Sequence, residues 1–250
     1  MTISTRDQLI DAMGNNASWI VIDKASLANA AAGQFFSLWT ATGVPGAGAA
    51  PTTAAVPTSA TTGAMGFTNQ TAPATSYLAW LAVLFGNSAS NLEIHDRLAH
   101  MGGLSGTVTT SQGALSLVTN SPGASRLGDA NYSDVQWWLE IYTALGATGV
   151  NATVAVEYND GTTGNLAAIA LGATPRAGRL YPLVSAVAGK FIRAVTGVTL
   201  SATTGTAGNF GITATRPLTS VSAPLLNKTE VLDWAQLGLP NIPNDSCLQM

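Results

Sequence analysis

The clearest alternation of apolar and polar residues lies between Val135 and Tyr158. From Val150 to Tyr158 every second residue is apolar, and Asn, Thr, Ala and Glu occupy the positions between them. A two-residue period is typical of a strand with one face buried and the other in water. We therefore predict that this segment is a β-strand at the centre of the fold.

A second strand is predicted directly before it. Trp137, Leu139 and Ile141 share one side of this strand. Trp138 and Tyr142 make the opposite side partly apolar, so we expect both sides to be covered. The two strands are joined by a short connection with glycine at positions 146 and 149, which favours an antiparallel hairpin.

Short apolar runs divided by glycine continue through much of the chain. We predict strands at residues 19–22, 34–40, 180–183, 190–195, 198–201 and 210–215, and one within Asn91–Met101 that ends near His95. Many short strands with glycine turns between them are typical of a sandwich or a barrel. We therefore expect residues 1–250 to form a single, mainly β domain, either an antiparallel β-sandwich or a jelly-roll-like barrel with one or two short helices.

A few segments favour helix over strand. Ser4 can cap a short amphipathic helix that begins the chain. The alanine-rich residues 25–33 and residues 229–234 each suit a helical turn. The longest apolar run, residues 77–85 (YLAWLAVLF), fits a buried helix or a strand, and periodicity does not decide between them at this length.

Two long segments show neither helical nor strand periodicity. Residues 43–76 contain four prolines, and their low charge argues against a solvated linker. Residues 217–250 form a tail whose apolar side chains must be buried somewhere. We expect each segment to lie on a surface, either of its own domain or of a neighbouring subunit, and the interpretation we favour is that both segments contact neighbouring subunits. The predicted partner-interface residues are Trp138, Trp234, Leu237, Leu239 and Ile242.

The composition favours such neighbours. Hydrophobic residues make up 46% of the chain and charged residues only 9%, against roughly 25% in ordinary soluble domains. A monomer with so few charges has weak self-repulsion and tends to associate. We therefore expect much of the surface to be covered in a homo-oligomer or a larger assembly. The alternative is a free-standing β protein that is rich in Thr, Ala and Gly.

Charge and cysteine content argue against several other classes of protein. The net charge is −3 and the 10 Lys and Arg residues are scattered, which is not the footprint of a nucleic-acid-binding protein. Cys247 is the only cysteine, so no intrachain disulfide is expected. The chain start lacks the pattern of a signal peptide, and no apolar run approaches the about 20 residues of a membrane helix. We expect a protein that stays soluble in a reducing cytoplasm.

The one dense group of ionisable residues consists of Glu93, His95, Asp96 and His100. The two histidines are five residues apart, which separates them on a strand and on a helix, and no cysteine is nearby. We therefore expect a structural role, with Asp96 and Arg97 paired to each other or to the backbone. The sequence contains no nucleophile elbow or phosphate-binding loop, so we predict no catalytic, cofactor or metal site.

The adjacent tryptophans 137 and 138 raise one other function, because exposed aromatic rings can stack on sugars. Neighbouring strand residues point to opposite faces, so only one of the two rings could face a ligand. A carbohydrate-binding β-sandwich is therefore the alternative to a structural protein.

Four phrases spread over most of the chain resemble those of virion proteins of tailed bacteriophages. They are residues 36–39 with 41–46 (FSLW, ATGVPG), residues 95–104 (HDRLAHMGGL), residues 138–143 (WLEIYT) and residues 208–213 (GNFGIT). The resemblance implies a non-enzymatic structural role in the virion, such as a capsid decoration or cement protein that contacts the major capsid protein. A tail or connector component is the other role it allows. It assigns no functional residue.

Overall fold

The computed structural model describes residues 3–25, 31–86, 90–223 and 225–250. Strand accounts for 38% of the chain and helix for 7%, and the sheets are antiparallel, which confirms the predicted mainly β fold of sandwich or barrel type. The strands are β1 (Asp23–Lys24), β2 (Phe35–Phe36), β3 (Gly43–Val44), β4 (Ser76–Tyr77), β5 (Leu81–Leu84), β6 (Ser90–Leu104), β7 (Leu115–Ser116), β8 (Gln136–Thr143), β9 (Val150–Tyr158), β10 (Thr163–Asn165), β11 (Ile169–Gly172), β12 (Arg179–Leu183), β13 (Ile192–Leu200), β14 (Asn209–Ala223), β15 (Thr229–Leu232), β16 (Asn241–Ile242) and β17 (Leu248–Gln249). The helices are α1 (Arg6–Gly14), α2 (Ala124–Leu127) and α3 (Trp234–Leu237).

Two antiparallel sheets form the body of the molecule. The larger sheet has six strands in the order β17-β6-β14-β8-β12-β2. The smaller sheet has the order β10-β9-β13-β7, and β11 also pairs with β9. Three two-stranded sheets, β1 with β3, β4 with β16 and β5 with β15, lie outside these two in the described residues.

The main hydrophobic core is built from inward-facing residues of both sheets. Along Val150–Tyr158 every second side chain is buried, which confirms the predicted alternation. Trp137, Leu139 and Ile141 of β8 belong to the same core. The Trp137 Nε1–H donates to the Ile192 carbonyl oxygen at 2.8 Å, so the one polar group of this side chain is satisfied inside the core.

The predicted hairpin between β8 and β9 is wrong, because the two strands lie in different sheets. β8 is paired with β14 on one edge and with β12 on the other, so it has no free edge for β9. The connection instead crosses between the sheets, where the Gly146 N–H donates to Thr204 Oγ1 at 3.1 Å. Both faces of β8 are buried, as predicted.

β6 and β14 are each 15 residues long and pair along most of their length. The predicted strand that ends near His95 therefore continues to Leu104, and the one predicted at residues 210–215 continues to Ala223. An extra residue in β6 at position 98 shifts the register, since Ala99 lies opposite Ala214 while Arg97 lies opposite Thr215. Such a bulge reorients the side chains that follow it.

The bounds of other predicted strands also differ from those in the structure. Most of the strands predicted at residues 190–195 and 198–201 belongs to one strand, β13, because its pairing with β9 continues through the irregularity at Gly197. The strand predicted at residues 34–40 is limited to β2, whereas the one at residues 180–183 is present as most of β12.

The first helix is present, but its cap differs from the prediction. Thr5, not Ser4, is the N-cap, and its hydroxyl accepts from the Gln8 N–H in a capping box. The strand predicted at residues 19–22 is wrong, because this stretch has no ladder partner in the described residues. The helical turn predicted at residues 25–33 lies mostly outside them, since residues 26–30 are not described.

The apolar run at residues 77–85 contains strand and no helix, which settles the choice the sequence left open. Its second half is β5, and β5 pairs with residues 229–232 in the register Val231 opposite Ala82. The helical turn predicted at 229–234 is therefore wrong over β15, and helix begins only at Trp234. Cross-strand pairing outweighs the local preference here.

Both irregular segments pack against the chain's own body. In the segment 43–76, Ala55 forms a β-bridge with His100 of β6, and the Met65 N–H donates to the Leu248 carbonyl oxygen at 2.9 Å. In the tail, β17 adds an edge strand beside β6. In the described residues these segments pack on the chain itself, and their predicted contact with neighbouring subunits stays a prediction.

Candidate functional site

The five predicted interface residues differ widely in exposure. Trp138 is 6% exposed, and its Nε1–H donates to Thr215 Oγ1 at 2.9 Å while Phe35 packs against its ring. The other four are Leu237 (9% exposed), Ile242 (8% exposed), Leu239 (half-buried) and Trp234 (42% exposed). Trp234 alone among the five is exposed, and the contact of these residues with a partner stays a prediction.

A buried polar cluster lies on the face of the larger sheet that is turned away from the main core. Arg97 is completely buried, and its Nη2 donates to Glu140 Oε2 at 2.6 Å and to the Tyr142 hydroxyl at 2.7 Å. The Thr213 hydroxyl donates to the same Glu140 oxygen at 2.5 Å. Arg97 Nε donates to His100 Nδ1 at 2.9 Å, which fixes the neutral imidazole in the Nε2–H tautomer.

Segments remote in sequence close this cluster from water. The Trp39 ring lies over the Arg97 guanidinium, with 4.6 Å from the guanidinium carbon to the ring centroid. Gly48 lies so close to the indole that a Cβ at this position would overlap it, so the loop approaches only because glycine is there. From the tail, Gln249 Oε1 accepts from Arg97 Nη1 at 2.9 Å. Arg97 therefore binds the sheet and the tail directly, and the Trp39 ring lies between it and the loop.

A second buried ion pair holds the tail in place. Arg126 of α2 donates from Nε to Asp96 Oδ2 at 3.0 Å and from Nη2 to Asp96 Oδ1 at 2.6 Å, which is the bidentate arrangement. Asp96 Oδ1 also accepts from the Cys247 N–H at 2.8 Å, and the Arg97 N–H donates to the Cys247 carbonyl oxygen at 2.8 Å. Asp96 and Arg97 therefore have backbone partners in the tail, as one alternative predicted, but their side chains do not pair with each other.

Burial sets the protonation states in this cluster. Burial, with the adjacent Arg97 charge, lowers the pKa of His100 from 6.5 to about 2, so the imidazole is neutral. Burial raises the pKa of the Cys247 thiol to about 12, and it raises the pKa of the Tyr142 hydroxyl well above its usual range. A protonated, enclosed thiol is not a nucleophile. The geometry of the cluster is suited to holding the fold together rather than to reacting with a substrate.

A second candidate site is the outer face of the ribbon formed by β5 and β15. Val231 lies opposite Ala82 and Thr229 lies opposite Leu84, so these four side chains share one face. The other face packs toward the end of β14 through Leu81, Val83 and Leu232. The outward face of an antiparallel pair is normally polar. Here Leu84 is 67% exposed and Val231 is 47% exposed.

Two tryptophans extend this face at one end. Trp80 precedes β5 on the same outward side and is 41% exposed. Trp19, which is 68% exposed, meets it edge-on with ring centroids 5.0 Å apart. This ring contact places Trp19 beside the ribbon.

Two leucines extend the face at the other end. The Asn227 N–H donates to the Phe85 carbonyl oxygen at 2.9 Å, which places the turn before β15 next to the end of β5. Leu225 and Leu226 in this turn are 59% and 55% exposed. We call the following six exposed residues the apolar stripe: Trp19, Trp80, Leu84, Leu225, Leu226 and Val231.

An apolar groove lies elsewhere, alongside the part of β12 that β2 does not cover. Its volume is about 610 Å³, and its lining includes Trp138 and the partly exposed Phe35 and Val184. Glu93 and Lys190 are its charged lining residues. Aromatic rings in a groove are what the carbohydrate alternative requires.

Sequence reasoning located a part of each site and missed the rest. It singled out the group at residues 93–100 but not the partners Arg126 and Glu140. A signal for Glu140 existed, because a carboxylate within a strand that is apolar on both sides needs a buried cation. It noted the apolar run at 77–85 but did not predict that one side of it would face solvent.

No group of three or more His, Cys, Asp and Glu side chains is placed to hold a metal ion within the described ranges. In the same part of the chain, no helix is both long and apolar enough to cross a membrane. Comparison with known proteins found no match, whether to a protein family model, to a curated protein or to a solved structure.

Proposed function

We propose that this protein is a non-enzymatic structural subunit of a bacteriophage particle, with a capsid decoration (cement) protein as the preferred role. Its location would be the virion, which is assembled in the host cytoplasm. Its mechanism is surface burial, in which the β body presents the apolar stripe to a neighbouring subunit such as the major capsid protein. A tail or connector component would use the same surface.

The observation that carries the proposal is the apolar character of the outward face of the β5–β15 ribbon. Single exposed apolar residues are common on soluble proteins, whereas contiguous patches mark surfaces that bind partners. The stripe combines outward-facing strand residues with Trp19 and Trp80, whose ring centroids are 5.0 Å apart. Its inner face is packed toward β14, which gives a firm support for binding.

Two further features support a structural role. The 46% hydrophobic and 9% charged composition gives little electrostatic repulsion between neighbouring subunits. The resemblance of four phrases to virion proteins of tailed bacteriophages points to the same kind of assembly. The loop 43–76 and β17 are occupied within the chain, so the proposed contact is the stripe rather than these segments.

The test is co-sedimentation of the purified protein with particles of the encoding phage that were assembled without it. We expect wild-type protein to bind, and we expect the double variant Leu84→Asn, Val231→Thr to bind about tenfold or more weakly, since central apolar contacts are each worth about 1–2 kcal/mol. Stripe substitutions are preferable to deletion of residues 224–250, because deletion would remove Cys247 and Gln249 from the buried polar cluster.

Val118→Thr is the matched control, because Val118 is 53% exposed and follows β7 of the smaller sheet, away from the ribbon. This variant should bind as the wild type does. Wild-type protein that does not sediment with the particles would refute the structural role. If the double variant and the control both bind as the wild type does, the stripe is not the contact surface.

A carbohydrate-binding module is the second candidate, and exposed aromatic rings are the observation that favours it. Trp19, Trp80 and Trp234 are all more than 40% exposed, and Phe35 lines the groove. The neighbours of Trp80 in the stripe are apolar, however, and sugars need hydrogen-bonding groups beside the stacking ring. Binding to a glycan array that Trp80→Ala abolishes would favour this function over the structural one.

A further inference from the structure

We infer that the apolar stripe binds the same stripe of a second copy of this chain, face to face about a twofold axis. This inference rests on the proposed function, because it names the partner of the same surface. A twofold contact uses one patch on both subunits, so the patch has to complement itself. The ribbon has the chemistry for this, since its outward side carries mostly aliphatic and aromatic side chains, with Thr229 as the polar one among the four paired residues.

The shape of the ribbon favours a second copy as the partner. Its sheet contains only β5 and β15, so each strand has one edge without a strand partner among the described residues. Four-residue strands in a two-stranded ribbon are marginally stable unless they are packed on a face. The inner face has this packing, and in the described part of the chain the outer face lacks it. A second ribbon laid on the outer face completes a two-layer arrangement of the kind found in sandwiches.

The low charge of the ribbon also favours a second copy as the partner. Residues 25–92 contain no Asp, Glu, Lys or Arg, and this range includes all of β5. On the β15 side, Lys228 and Glu230 neutralise each other at 3.0 Å, and the exposed Asp233 follows the strand as the N-cap of α3. The strand residues of two copies can therefore meet without juxtaposing unpaired like charges, which would otherwise oppose self-association. A strongly charged partner would find nothing complementary on this face, so a second copy fits better.

The exposed area of the stripe sets the expected strength of the contact between two copies. Trp19 and Trp80 are 68% and 41% exposed. Because a tryptophan can bury about 150–250 Å², the six stripe residues together expose on the order of 500 Å². This is within the about 300–600 Å² of the largest patch on a typical monomer. A stable pair needs about 800 Å² from each partner. We therefore expect a dimer that is weak in free solution and is reinforced where copies are held close together.

The experiment is cysteine cross-linking of the full chain. Cys247 is completely buried, so the single substitutions Leu84→Cys and Val231→Cys each add one accessible thiol to a chain whose own thiol is enclosed. Under mild oxidation at high protein concentration, we expect a covalent dimer from at least one stripe variant, because a disulfide requires Cβ atoms about 3.5–4.5 Å apart. Val118→Cys, with its exposed side chain on the smaller sheet, is the matched control and should stay monomeric.

Sedimentation equilibrium of the wild type and of Leu84→Asn gives a second readout. We expect concentration-dependent dimer formation that is about tenfold weaker in the variant, as for loss of a central contact. A wild-type protein that stays monomeric up to about 1 mM overturns the inference, and so does equal cross-linking of the control variant. If the stripe variants lose particle binding while no dimer forms, the partner is another virion protein and the proposed function stands. If dimers form but no particle binds, the dimer stands and the proposed function falls.

Discussion

Arg97 and Glu140 are each no more than 1% exposed, whereas Leu84 is 67% exposed and Val231 is 47% exposed. The buried polar cluster and the apolar stripe thus reverse the usual distribution of charged and aliphatic side chains. In the cluster, each charge meets an opposite charge within 3.0 Å and further hydrogen-bond partners. In the stripe, aliphatic groups face water, and no segment among the described residues covers them.

The difference indicates two separate tasks. A buried ion pair stabilises little compared with an apolar replacement, but breaking one is costly, so such pairs specify which segments come together. Here Arg97 and Asp96 join the sheet to a tail that lies far away in sequence. The stripe contributes little to the fold of one chain, and its exposed area is available for a neighbour. The cluster therefore bears on the stability of one chain, and the stripe bears on association.

The largest predicted effect comes from breaking the cluster with Arg97→Met. The substitution leaves the buried Glu140 carboxylate without its cation and removes the link to Gln249. We expect the free energy of unfolding to fall by about 3–5 kcal/mol, as for a buried ion pair that loses one partner. Chemical denaturation at pH 7, followed by tryptophan fluorescence, measures this change.

The double variant Arg97→Met, Glu140→Leu is the control for that measurement. It removes the orphaned carboxylate together with the arginine, and we expect it to recover part of the loss, because an apolar replacement of both partners is often tolerated. If Arg97→Met alone costs less than about 1 kcal/mol, the cluster does not hold the loop and tail as described.

The sequence allowed the β architecture to be predicted better than the partners of its strands. The alternation along Val150–Tyr158 reports burial on one face, and that is a local property of the chain. Pairing is not local. β8 and β9 are joined by a short connection, yet β8 finds both its neighbours elsewhere, in β12 and β14. A short glycine-rich connection is compatible with a hairpin and with a crossing between sheets.

The candidate site was predictable only in pieces for a similar reason. The group at residues 93–100 was visible as a dense run of ionisable residues, but Arg126 and Gln249 are brought to it by tertiary structure. The bulge in β6 that lets Arg97 bond to His100, three residues later, has no sequence signature that we recognised. For the run at 77–85, composition indicated burial, and only the register with β15 shows which side chains stay outside.

A smaller effect is expected from pH, because the cluster keeps His100 neutral. The folded-state pKa is lowered to about 2, whereas the unfolded chain binds a proton near the ordinary 6.5. Between these values the unfolded state binds more protons, so stability rises with pH and is lost as pH falls below 6.5. The expected loss from this residue is at most about 1.4 kcal/mol for each pH unit. Denaturant unfolding between pH 5 and 7 measures it.

His100→Gln is the comparison for the pH series, since glutamine keeps an acceptor for Arg97 and does not titrate. Its stability should change less between pH 7 and pH 5 than that of the wild type. Identical slopes for the two proteins would contradict the neutral, buried state of His100. Cys247 acts in the opposite direction, because a thiol whose pKa is raised to about 12 loses its contribution as pH rises above the ordinary value of 9.0.

Substitutions in the stripe have the smallest predicted effect on stability. Leu84→Asn and Val231→Thr replace exposed side chains, so each should change the free energy of unfolding of the dilute protein by no more than about 0.5 kcal/mol. Leu81→Asn is the matched control in the same strand, because Leu81 is on the inner face and packs with Val221 and Ala223. We expect that control to cost about 1–3 kcal/mol, since it places an amide among apolar neighbours. If Leu84→Asn destabilises the isolated chain as much as Leu81→Asn does, the outer face belongs to the core of one molecule. If it leaves stability unchanged and weakens association, the exposed apolar face serves contacts with neighbours.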